Sequence, residues 1–463
     1  MKLKQLHLYN FRCFSSLSIM FDDKLTVIAA ENGAGKTAIL DAIAIGFGRY
    51  LTKLPGVTGR TTKATDIRVN DLEKQAPFLL LAWQVEVEKA MLSWSSGRKR
   101  DASISTSQIE DLLSKENLTL FKQGSRGLDA FTLDLIQREA EDKPVFLPVV
   151  AYYGTNRAIR DEVQRRRGFK HKFSRFDALS GSLEPNSSFR AAFEWFNAME
   201  DLERREQQAK RDFDYRLPEL QWVRQAIKQT LNGNLADPRT LIRPLRFVID
   251  KVNSDGSRQT LRISQLSDGY KIVLGLVMDL ARRMVEANPN AQQLKVASPL
   301  ELPAIVLIDE IELHLHPSWQ QHVLGDLMRV FTNTQFIVTT HSPQVLTCVD
   351  ASCIRIFKEE AEPGTNVIKR RVEPVDLQTK GVASSDLLAQ VMNVNPIPPI
   401  EEAQWFSDYT AKIENGTYKD KDGLALRKKL VLHFGSRHPQ MLDADRLIRF
   451  QTFKLHKKRT PQD

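Results

Sequence analysis

Four apolar stretches along the chain predict strands at the centre of a parallel sheet. Residues 25–28 and 304–308 form short apolar runs, and 336–340 and 144–153 are similar in character. Such runs are typical of strands that helices cover on both faces, whereas a strand with one wet face alternates apolar and polar residues. The pattern therefore predicts an α/β fold.

Other stretches carry apolar residues at helical spacing. One predicted helix follows residue 267, and its apolar face comprises Ile272, Leu276, Met278, Leu280 and Met284. A second begins at 186–188 and should stop before Pro218. The apolar face of this helix comprises Phe189, Phe193, Phe196, Met199 and Leu202. Such a face favours packing in the core over an exposed binding surface. Further predicted helices span 219–231, 401–414 and 423–434. The serine-rich stretch 93–107 predicts an exposed loop.

The segment between the first strand and a predicted helix at 38–43 has the sequence of a phosphate-binding loop. Residues 30–37 read Ala-Glu-Asn-Gly-Ala-Gly-Lys-Thr. Glycines let backbone N–H groups turn toward phosphate oxygens, the lysine adds positive charge, and the threonine hydroxyl can coordinate Mg²⁺. The N-terminus of the following helix would face the phosphates. The predicted ligands are ATP and Mg²⁺. The predicted nucleotide-binding residues are Asn32, Gly33, Ala34, Gly35, Lys36, Thr37 and Ala38.

Ala30 departs from this loop pattern, which usually begins with glycine. If the position requires a positive φ, an alanine there would cost on the order of 1 kcal/mol. Such a cost is compatible with ATP binding but is a reason to expect slow turnover.

Two of the downstream strands are followed by side chains with candidate catalytic roles. Asp309 follows 304–308, where a carboxylate can hold Mg²⁺ through its water shell. Glu310 comes next and is the candidate general base for an attacking water. His341 follows Thr340 and either contacts the γ-phosphate or caps a strand end. Its place after the Asp309-Glu310 strand favours a catalytic role.

Residues 266–270, Leu-Ser-Asp-Gly-Tyr, match a signature that clamps ATP bound to a second copy of the same fold. Ser267 and Gly269 would present a hydroxyl and a helix N-terminus to the γ-phosphate in trans. The signature predicts a homodimer held together by ATP. Asp268 replaces the usual glycine and Tyr270 the usual glutamine, and a carboxylate near phosphate is unfavourable. We therefore expect slow hydrolysis.

Composition indicates a cytoplasmic protein with an anionic partner. The 463 residues carry a net charge of +9 and only three cysteines, which suits a reducing compartment. We expect neither a signal peptide nor a membrane span, because no apolar run approaches the roughly 20 residues that a bilayer requires. The length allows two or three domains.

Part of the positive charge lies in a basic run from Arg157 to Arg175, where Phe169 and Phe173 could stack on bases. The predicted partner is DNA or RNA, whose phosphates such a run could bind. A solvated loop with core-packed phenylalanines explains the run equally well. The candidate nucleic-acid contacts are Arg165, Arg166, Arg167, Lys170 and Lys172.

Several motifs resemble those of a known ATPase group. Residues 8–14 and the phosphate loop resemble the ABC-type heads of SMC, RecF and OLD (overcoming lysogenization defect) proteins, and 309–317 with 339–343 resemble the OLD-like ATPases. Residues 152–157, Tyr-Tyr-Gly-Thr-Asn-Arg, and the signature are similar to the PtuA family, the ATPase subunits of Septu anti-phage systems, also found beside some retrons. The resemblance implies an ABC-type P-loop ATPase head with a helical insertion and a C-terminal helical region.

The resemblance also implies partners and roles. PtuA-like subunits form homo-oligomers and act with a separate HNH nuclease that attacks nucleic acid, so the chain would be a regulatory ATP-binding subunit. Arg12 would lie near the nucleotide. Thr155 and Asn156 would occupy the place where related ATPases carry a glutamine, which is missing here.

The sequence leaves two other functions open. Asp443 and Asp445 resemble the paired acids of a nuclease domain, which would make the chain a self-sufficient OLD-type ATPase-nuclease, although the residues around them predict a helix. A RecF-like repair ATPase is the other alternative. Shortly after Asp309 and Glu310, three histidines and Glu312 resemble zinc ligands, but their position favours a structural loop at the dimer interface. These histidines are His314, His316 and His322.

The predicted organisation is a split core. Residues 1–160 and 240–372 form a discontinuous ATPase core, and 161–239 form a basic loop and a helical insertion. Residues 373–463 form a C-terminal helical region for oligomer or partner contacts.

Overall fold

The computed structural model describes most of the chain. The described residues are 1–69, 73–100, 105, 107, 109–111, 124–157, 174–185, 189–242, 244–253, 255–361 and 368–459. The chain divides into two compact units, Met1–Leu387 and Leu388–Asp463.

Strands in the described residues form three sheets. They are β1 (Lys2–Phe11), β2 (Phe14–Met20), β3 (Leu25–Ala29), β4 (Phe78–Val87), β5 (Ala90–Lys99), β6 (Val149–Tyr153), β7 (Leu235–Ile242), β8 (Leu245–Val252), β9 (Arg258–Arg262), β10 (Ala304–Ile308), β11 (Gln335–Thr340), β12 (Ile354–Ala361) and β13 (Ile368–Pro374).

Helices in the same residues are as follows. They are α1 (Lys36–Leu51), α2 (Arg126–Ala140), α3 (Phe189–Lys210), α4 (Pro218–Thr230), α5 (Asp268–Ala287), α6 (Pro317–Gln320), α7 (Val323–Val330), α8 (Pro343–Leu346), α9 (Ser384–Gln390), α10 (Glu401–Glu414), α11 (Lys421–Phe434) and α12 (Pro439–Arg459).

The central sheet has the order β13-β12-β3-β11-β10-β6, and all its pairs are parallel except β12–β13. Every residue of β3, β6, β10 and β11 is buried, as expected for strands covered on both faces. The predicted strands at 25–28, 304–308 and 336–340 are confirmed. The one predicted at 144–153 is confirmed only over its second half, where β6 pairs with β10.

The second sheet, β2-β1-β4-β5, is antiparallel. It corrects the predicted loop at 93–107, because β5 runs through Lys99. Within β5, Trp94 is buried, stacks on Trp83 at 5.8 Å and donates from Nε1 to the Gly46 carbonyl. The serines give the strand a polar face, and one buried tryptophan supplies its packing.

The helical predictions are confirmed within a few residues. Phe189, Phe193 and Phe196 on α3 are buried and pack against Phe247 of β8. The prediction of core packing was wrong for Leu202, which is exposed at the far end of the predicted stripe. Helix α4 follows with Pro218 at its first turn, where the missing N–H costs nothing. The small antiparallel sheet β7-β8-β9, which supplies Phe247, was not predicted.

The second unit contains its own apolar core. Helices α10 and α11 match the predicted ranges, whereas α12 was not predicted as a full helix. The buried residues of this core are Tyr409, Ile413, Leu430, Met441 and Ala444.

Candidate nucleotide site

The phosphate loop joins the end of β3 to the start of α1, as predicted. Gly33 has φ +78° and Gly35 has φ +105°, conformations that glycine adopts without penalty. A Cβ on Gly35 would lie 2.6 Å from Cys13 Sγ and 2.6 Å from Phe14 Cζ, whereas one on Gly33 would meet nothing within 4 Å. Gly35 is therefore required by both its φ and its close neighbours, and Gly33 by its φ alone.

Ala30 does not adopt a positive φ. The expected energetic cost of an alanine at this position therefore does not arise. Its carbonyl accepts a hydrogen bond from Lys36 Nζ at 2.9 Å, so Ala30 contributes to the site through its backbone.

Lys36 is buried beneath the loop. Its Nζ donates to the carbonyls of Ala30 and Glu31, both at 2.9 Å, and lies 3.4 Å from Nδ1 of His341. Burial lowers the pKa of the Lys36 ammonium, and Glu310, Asp309 and Glu312 act in the opposite direction. A polyanionic ligand would supply the counter-charge that this lysine lacks among its hydrogen-bond partners.

The remaining loop residues surround this position. Glu31, Asn32 and Gly33 are exposed, and Ala38 lies in the first turn of α1. An exposed loop at the N-terminus of a sixteen-residue helix is a suitable environment for phosphate.

Thr37 and Asp309 form the candidate magnesium site. Thr37 Oγ1 donates to Asp309 Oδ2 at 2.8 Å, and Asp309 Oδ1 accepts from Thr339 Oγ1 at 2.6 Å. Asp309 directly follows β10, and Thr339 is on the adjacent strand β11. A hydroxyl and a carboxylate are oxygen donors that suit Mg²⁺, so these residues fit the ion that the motifs imply.

Glu310 and His341 lie together at the same edge of the sheet. Glu310 Oε1 is 3.9 Å from His341 Nε2, and Glu310 N–H donates to Thr339 Oγ1 at 2.8 Å. Glu310 adopts φ +46°, which is unusual for a residue with a side chain. Such strain often marks a functional position.

Glu312 belongs to this site although sequence reasoning assigned it only to a loop. Its carboxylate accepts the backbone N–H of His341 and, at 2.9 Å, the hydroxyl of Thr340. Glu312 thus orients the backbone that carries His341. Its place within the acidic motif after β10 was the available signal.

Arg12 lies on the tight turn between β1 and β2. The next two residues, Cys13 and Phe14, lie against Gly35. Its Nη1 donates to Asp41 at 2.6 Å and its Nε to Asp66 at 2.9 Å. Arg60 donates to the other oxygen of Asp41 at 2.7 Å. Arg12 therefore joins the turn to α1, beside the loop, through carboxylates.

Arg157 corrects the prediction that it belongs to a nucleic-acid-binding run. It is buried, and it donates to the carbonyls of Gly154, Asp309 and Glu310. Burial lowers its pKa to about 10, against the opposing influence of Glu312, Asp309 and Glu310. Arg165, Arg166, Arg167, Lys170 and Lys172 lie outside the described residues, so their role stays a prediction.

The signature residues lie at the N-terminus of α5. Ser267 is the N-cap, is exposed, and makes no capping hydrogen bond with its side chain. Asp268 pairs with Lys271 at 3.1 Å, which offsets part of its charge. Gly269 packs under the His314 carbonyl, and Tyr270 meets Trp319 edge to face at 4.5 Å. The exposed helix end is open to a ligand.

A buried ionic network lies further along α5. Asp279 accepts from Arg282, Arg283 and the hydroxyl of Tyr153 at the end of β6. Burial opposes the ionisation of Asp279, but the two arginines outweigh it and lower its pKa to about 2. The network connects the signature helix to the central sheet.

The other candidate constellations have ordinary structural partners. His316 caps α6 by accepting from the N–H of Ser318. Asp443 pairs with Arg446 and Asp445 with Arg427 on the surface of the second unit. Among the described residues, no three His, Cys, Asp or Glu side chains are grouped so that they could hold a metal ion.

Sheet order, phosphate loop and the Asp309-Glu310 strand end define an ABC-type P-loop ATPase. Family comparison agrees: an AAA domain model matches residues 5–233, and a second AAA domain model matches residues 166–347. The first range contains the phosphate loop, and the second contains the signature and His341.

Within this class, the chain is related to the retron-associated and PtuA ATPases. It is 27% identical to the Retron Ec83 probable ATPase of Escherichia coli, over 94% of this chain and 84% of that protein. It is 28% identical to the Retron Vc95 probable ATPase of Vibrio cholerae, over 77% and 74%. The Septu protein PtuA of Bacillus mycoides is 28% identical, over 27% of this chain and 16% of PtuA.

The chain also has weak similarity to solved structures. The match to the SMC head domain from Thermotoga maritima has 17% sequence identity and a TM-score of 0.41, and it covers 81% of this chain and 100% of the SMC head. The ATPase class therefore rests on the site geometry and on the sequence relatives. In the described part of the chain, every helix is too short or too polar to cross a bilayer.

Proposed function

We propose that this chain is the regulatory ATPase subunit of a cytoplasmic anti-phage system. In this proposal, an ATP-bound homodimer or larger homo-oligomer controls a separate HNH nuclease that acts on nucleic acid. The observation that carries the ATPase role is the contact between Thr37 and Asp309, with Glu310 next in the chain. Similarity to the retron-associated ATPases and to the Septu protein PtuA supports the defence role.

The site residues divide the chemistry of ATP hydrolysis among them. Lys36 exchanges its two carbonyl partners for phosphate oxygens when ATP binds. Thr37 and Asp309 would hold Mg²⁺, which neutralises phosphate charge when bound. Glu310 accepts a proton from the attacking water. His341, between Lys36 and Glu310, contacts the γ-phosphate.

The signature acts on ATP bound to the other protomer. Ser267 and the N-terminus of α5 are exposed, so they can meet the γ-phosphate in trans. Asp268 weakens this contact because it places a carboxylate beside the phosphate. We therefore expect a long-lived ATP-bound dimer and slow turnover.

The nuclease activity belongs to another subunit. Asp443 and Asp445 lie on α12 and are each engaged by an arginine, which supports a structural role over catalysis. The C-terminal helices α10–α12 would contact that subunit or a neighbouring protomer. Truncation after Asn393 should then change oligomer size or partner capture, and a truncated chain that retains both would contradict this role.

Plasmid cleavage by the purified chain, with Mg²⁺ or Mn²⁺ and with or without ATP, tests the division of labour. We expect no cleavage by the chain alone and cleavage once an HNH subunit from a neighbouring gene is added. Cleavage by the chain alone that an Asp443→Asn/Asp445→Asn variant loses would establish an OLD-type nuclease. Preferential binding to gapped DNA without cleavage would favour a repair ATPase.

Nucleic-acid binding by the basic run is tested separately. Charge reversal at Arg165, Arg166 and Arg167 should weaken DNA or RNA binding and reduce its salt dependence, because fewer counterions are released. Unchanged affinity and an unchanged salt slope would remove this part of the proposal. Charge reversal at Arg98 and Arg100, which donate to backbone carbonyls elsewhere, is the control.

A further inference from the structure

We propose that Arg157 is a positioning residue for ATP hydrolysis that holds the backbone of Glu310 in its catalytic conformation. This inference rests on the proposed role of Glu310 as general base. It adds a residue that lies outside the motifs of the phosphate loop, the β10 strand end and the signature.

The contacts of Arg157 converge on one turn. Nη1 donates to the Asp309 carbonyl at 2.5 Å and to the Gly154 carbonyl at 3.0 Å, and Nη2 donates to the Glu310 carbonyl at 2.6 Å. One guanidinium therefore binds two consecutive carbonyls after β10 and one after β6. The planar fork of arginine suits this geometry, and the single ammonium of lysine reproduces it only in part.

Glu310 requires such support because its backbone is strained. A φ of +46° is unfavourable for a residue with a Cβ and persists only where the surroundings impose it. Thr339 Oγ1 holds the Glu310 N–H at 2.8 Å, and Arg157 holds its carbonyl. The two contacts fix the peptides on both sides of Glu310 and so the direction of its side chain.

Arg157 differs from Arg282 and Arg283, the two arginines of the buried ionic network on α5. The hydrogen bonds of Arg157, which is 3% exposed, go to carbonyl oxygens and, among the described residues, to no carboxylate. Arg282 and Arg283 instead bind the carboxylate of Asp279, and Arg283 also donates to the carbonyls of Ala178 and Ser180. Asp309, Glu310 and Glu312 supply the compensating negative charge around it. The charge of Arg157 is thus buried near these carboxylates, while its Nη1 and Nη2 donate to the backbone carbonyls of Asp309 and Glu310.

The test compares Arg157→Gln and Arg157→Lys with wild type in single-turnover ATP hydrolysis, together with ATP affinity and melting temperature. We expect the glutamine variant to lose roughly 10- to 100-fold in rate, because a small displacement of a catalytic group has this effect. Its ATP affinity should stay within about threefold, since Lys36 and the loop are untouched. Lysine should restore part of the rate.

Arg175→Gln is the matched control. Arg175 also donates to backbone carbonyls, those of Ala287 and Val145, and pairs with Glu139. Its loss should lower the melting temperature and leave the hydrolysis rate unchanged. If Arg157→Gln behaves in the same way, the positioning role is wrong. If Arg157→Gln does not fold, a slow Arg157→Lys variant that melts like wild type supports the role, and a fast one overturns it.

A double variant separates this inference from the proposed function. If Arg157 acts through Glu310, Arg157→Gln should add no further loss to Glu310→Gln. Additive losses would contradict positioning. If the single variant Glu310→Gln hydrolyses ATP at the wild-type rate, both the general-base role of Glu310 and the inference about Arg157 are overturned. If Glu310→Gln hydrolyses ATP slowly but Arg157→Gln hydrolyses it at the wild-type rate, only the inference about Arg157 is overturned.

Discussion

Thr37 Oγ1 donates to Asp309 Oδ2 at 2.8 Å, although 272 positions separate the two residues in the chain. The contact exists because β3 and β10 both pair with β11 in parallel, so their carboxyl ends meet at one edge of the sheet. It joins the phosphate loop to the general-base candidate Glu310.

Substitution of Lys36 by alanine should abolish nucleotide binding. Lys36 Nζ supplies positive charge beneath the loop. Without it, the two carbonyl oxygens that it contacts remain, and these cannot attract phosphate. Titration with a fluorescent ATP analogue measures the effect, and Lys24→Ala, before β3, is the control. Retained affinity in Lys36→Ala would show that the loop does not bind the triphosphate.

Substitution of Glu310 by glutamine should trap ATP. The amide cannot accept the proton of the attacking water, so the bound state persists and stabilises the closed dimer by mass action. The nucleotide off-rate and the oligomer distribution report the change. Glu206→Gln, on α3, should behave as wild type. A Glu310→Gln variant with an unchanged off-rate and oligomer distribution would argue against a hydrolytic cycle.

Gly33→Ala and Gly35→Ala should differ in severity. Both positions have positive φ, which costs an alanine about 1–2 kcal/mol. Only Gly35 also brings a Cβ within 2.6 Å of Cys13 and Phe14. We therefore expect Gly35→Ala to weaken ATP binding more than Gly33→Ala, by about tenfold or more. Calorimetric titration of both variants measures it, and equal affinities would show that the contact with the β1–β2 turn is unimportant.

Asp279→Asn should destabilise the first unit by about 3–5 kcal/mol, because it leaves Arg282 and Arg283 without their shared carboxylate in the core. Urea unfolding measures the loss, with Asp443→Asn on the surface as control. The folded pKa of Asp279 lies below its ordinary 3.8. The wild-type network therefore contributes fully above about pH 4 and loses its contribution as pH falls toward 2. An Asp279→Asn variant as stable as wild type would assign the network no energetic role.

Local sequence signals were sufficient for β3, β10 and β11 and for the phosphate loop. The apolar runs at 25–28 and 304–308 predicted β3 and β10. A strand that is buried on both faces consists of consecutive apolar residues, and this pattern is visible in the local sequence. The glycine spacing around Lys36 likewise predicted the phosphate loop, in which the structure gives Gly33 and Gly35 positive φ. The strand β5 was missed because Trp94 is its one buried residue and most of its other residues are polar.

The amino-acid sequence by itself determined which side chains are available for chemistry: Lys36, Thr37, Asp309, Glu310 and His341. Tertiary structure decided which of them meet and what holds them, since the parallel pairing of β3, β11 and β10 brings distant strand ends together. It also decided the role of Arg157, which the sequence places at the start of a basic run. Arg157 is buried and donates to the backbone of the turn after β10, and a linear pattern of charge shows neither its burial nor its carbonyl acceptors.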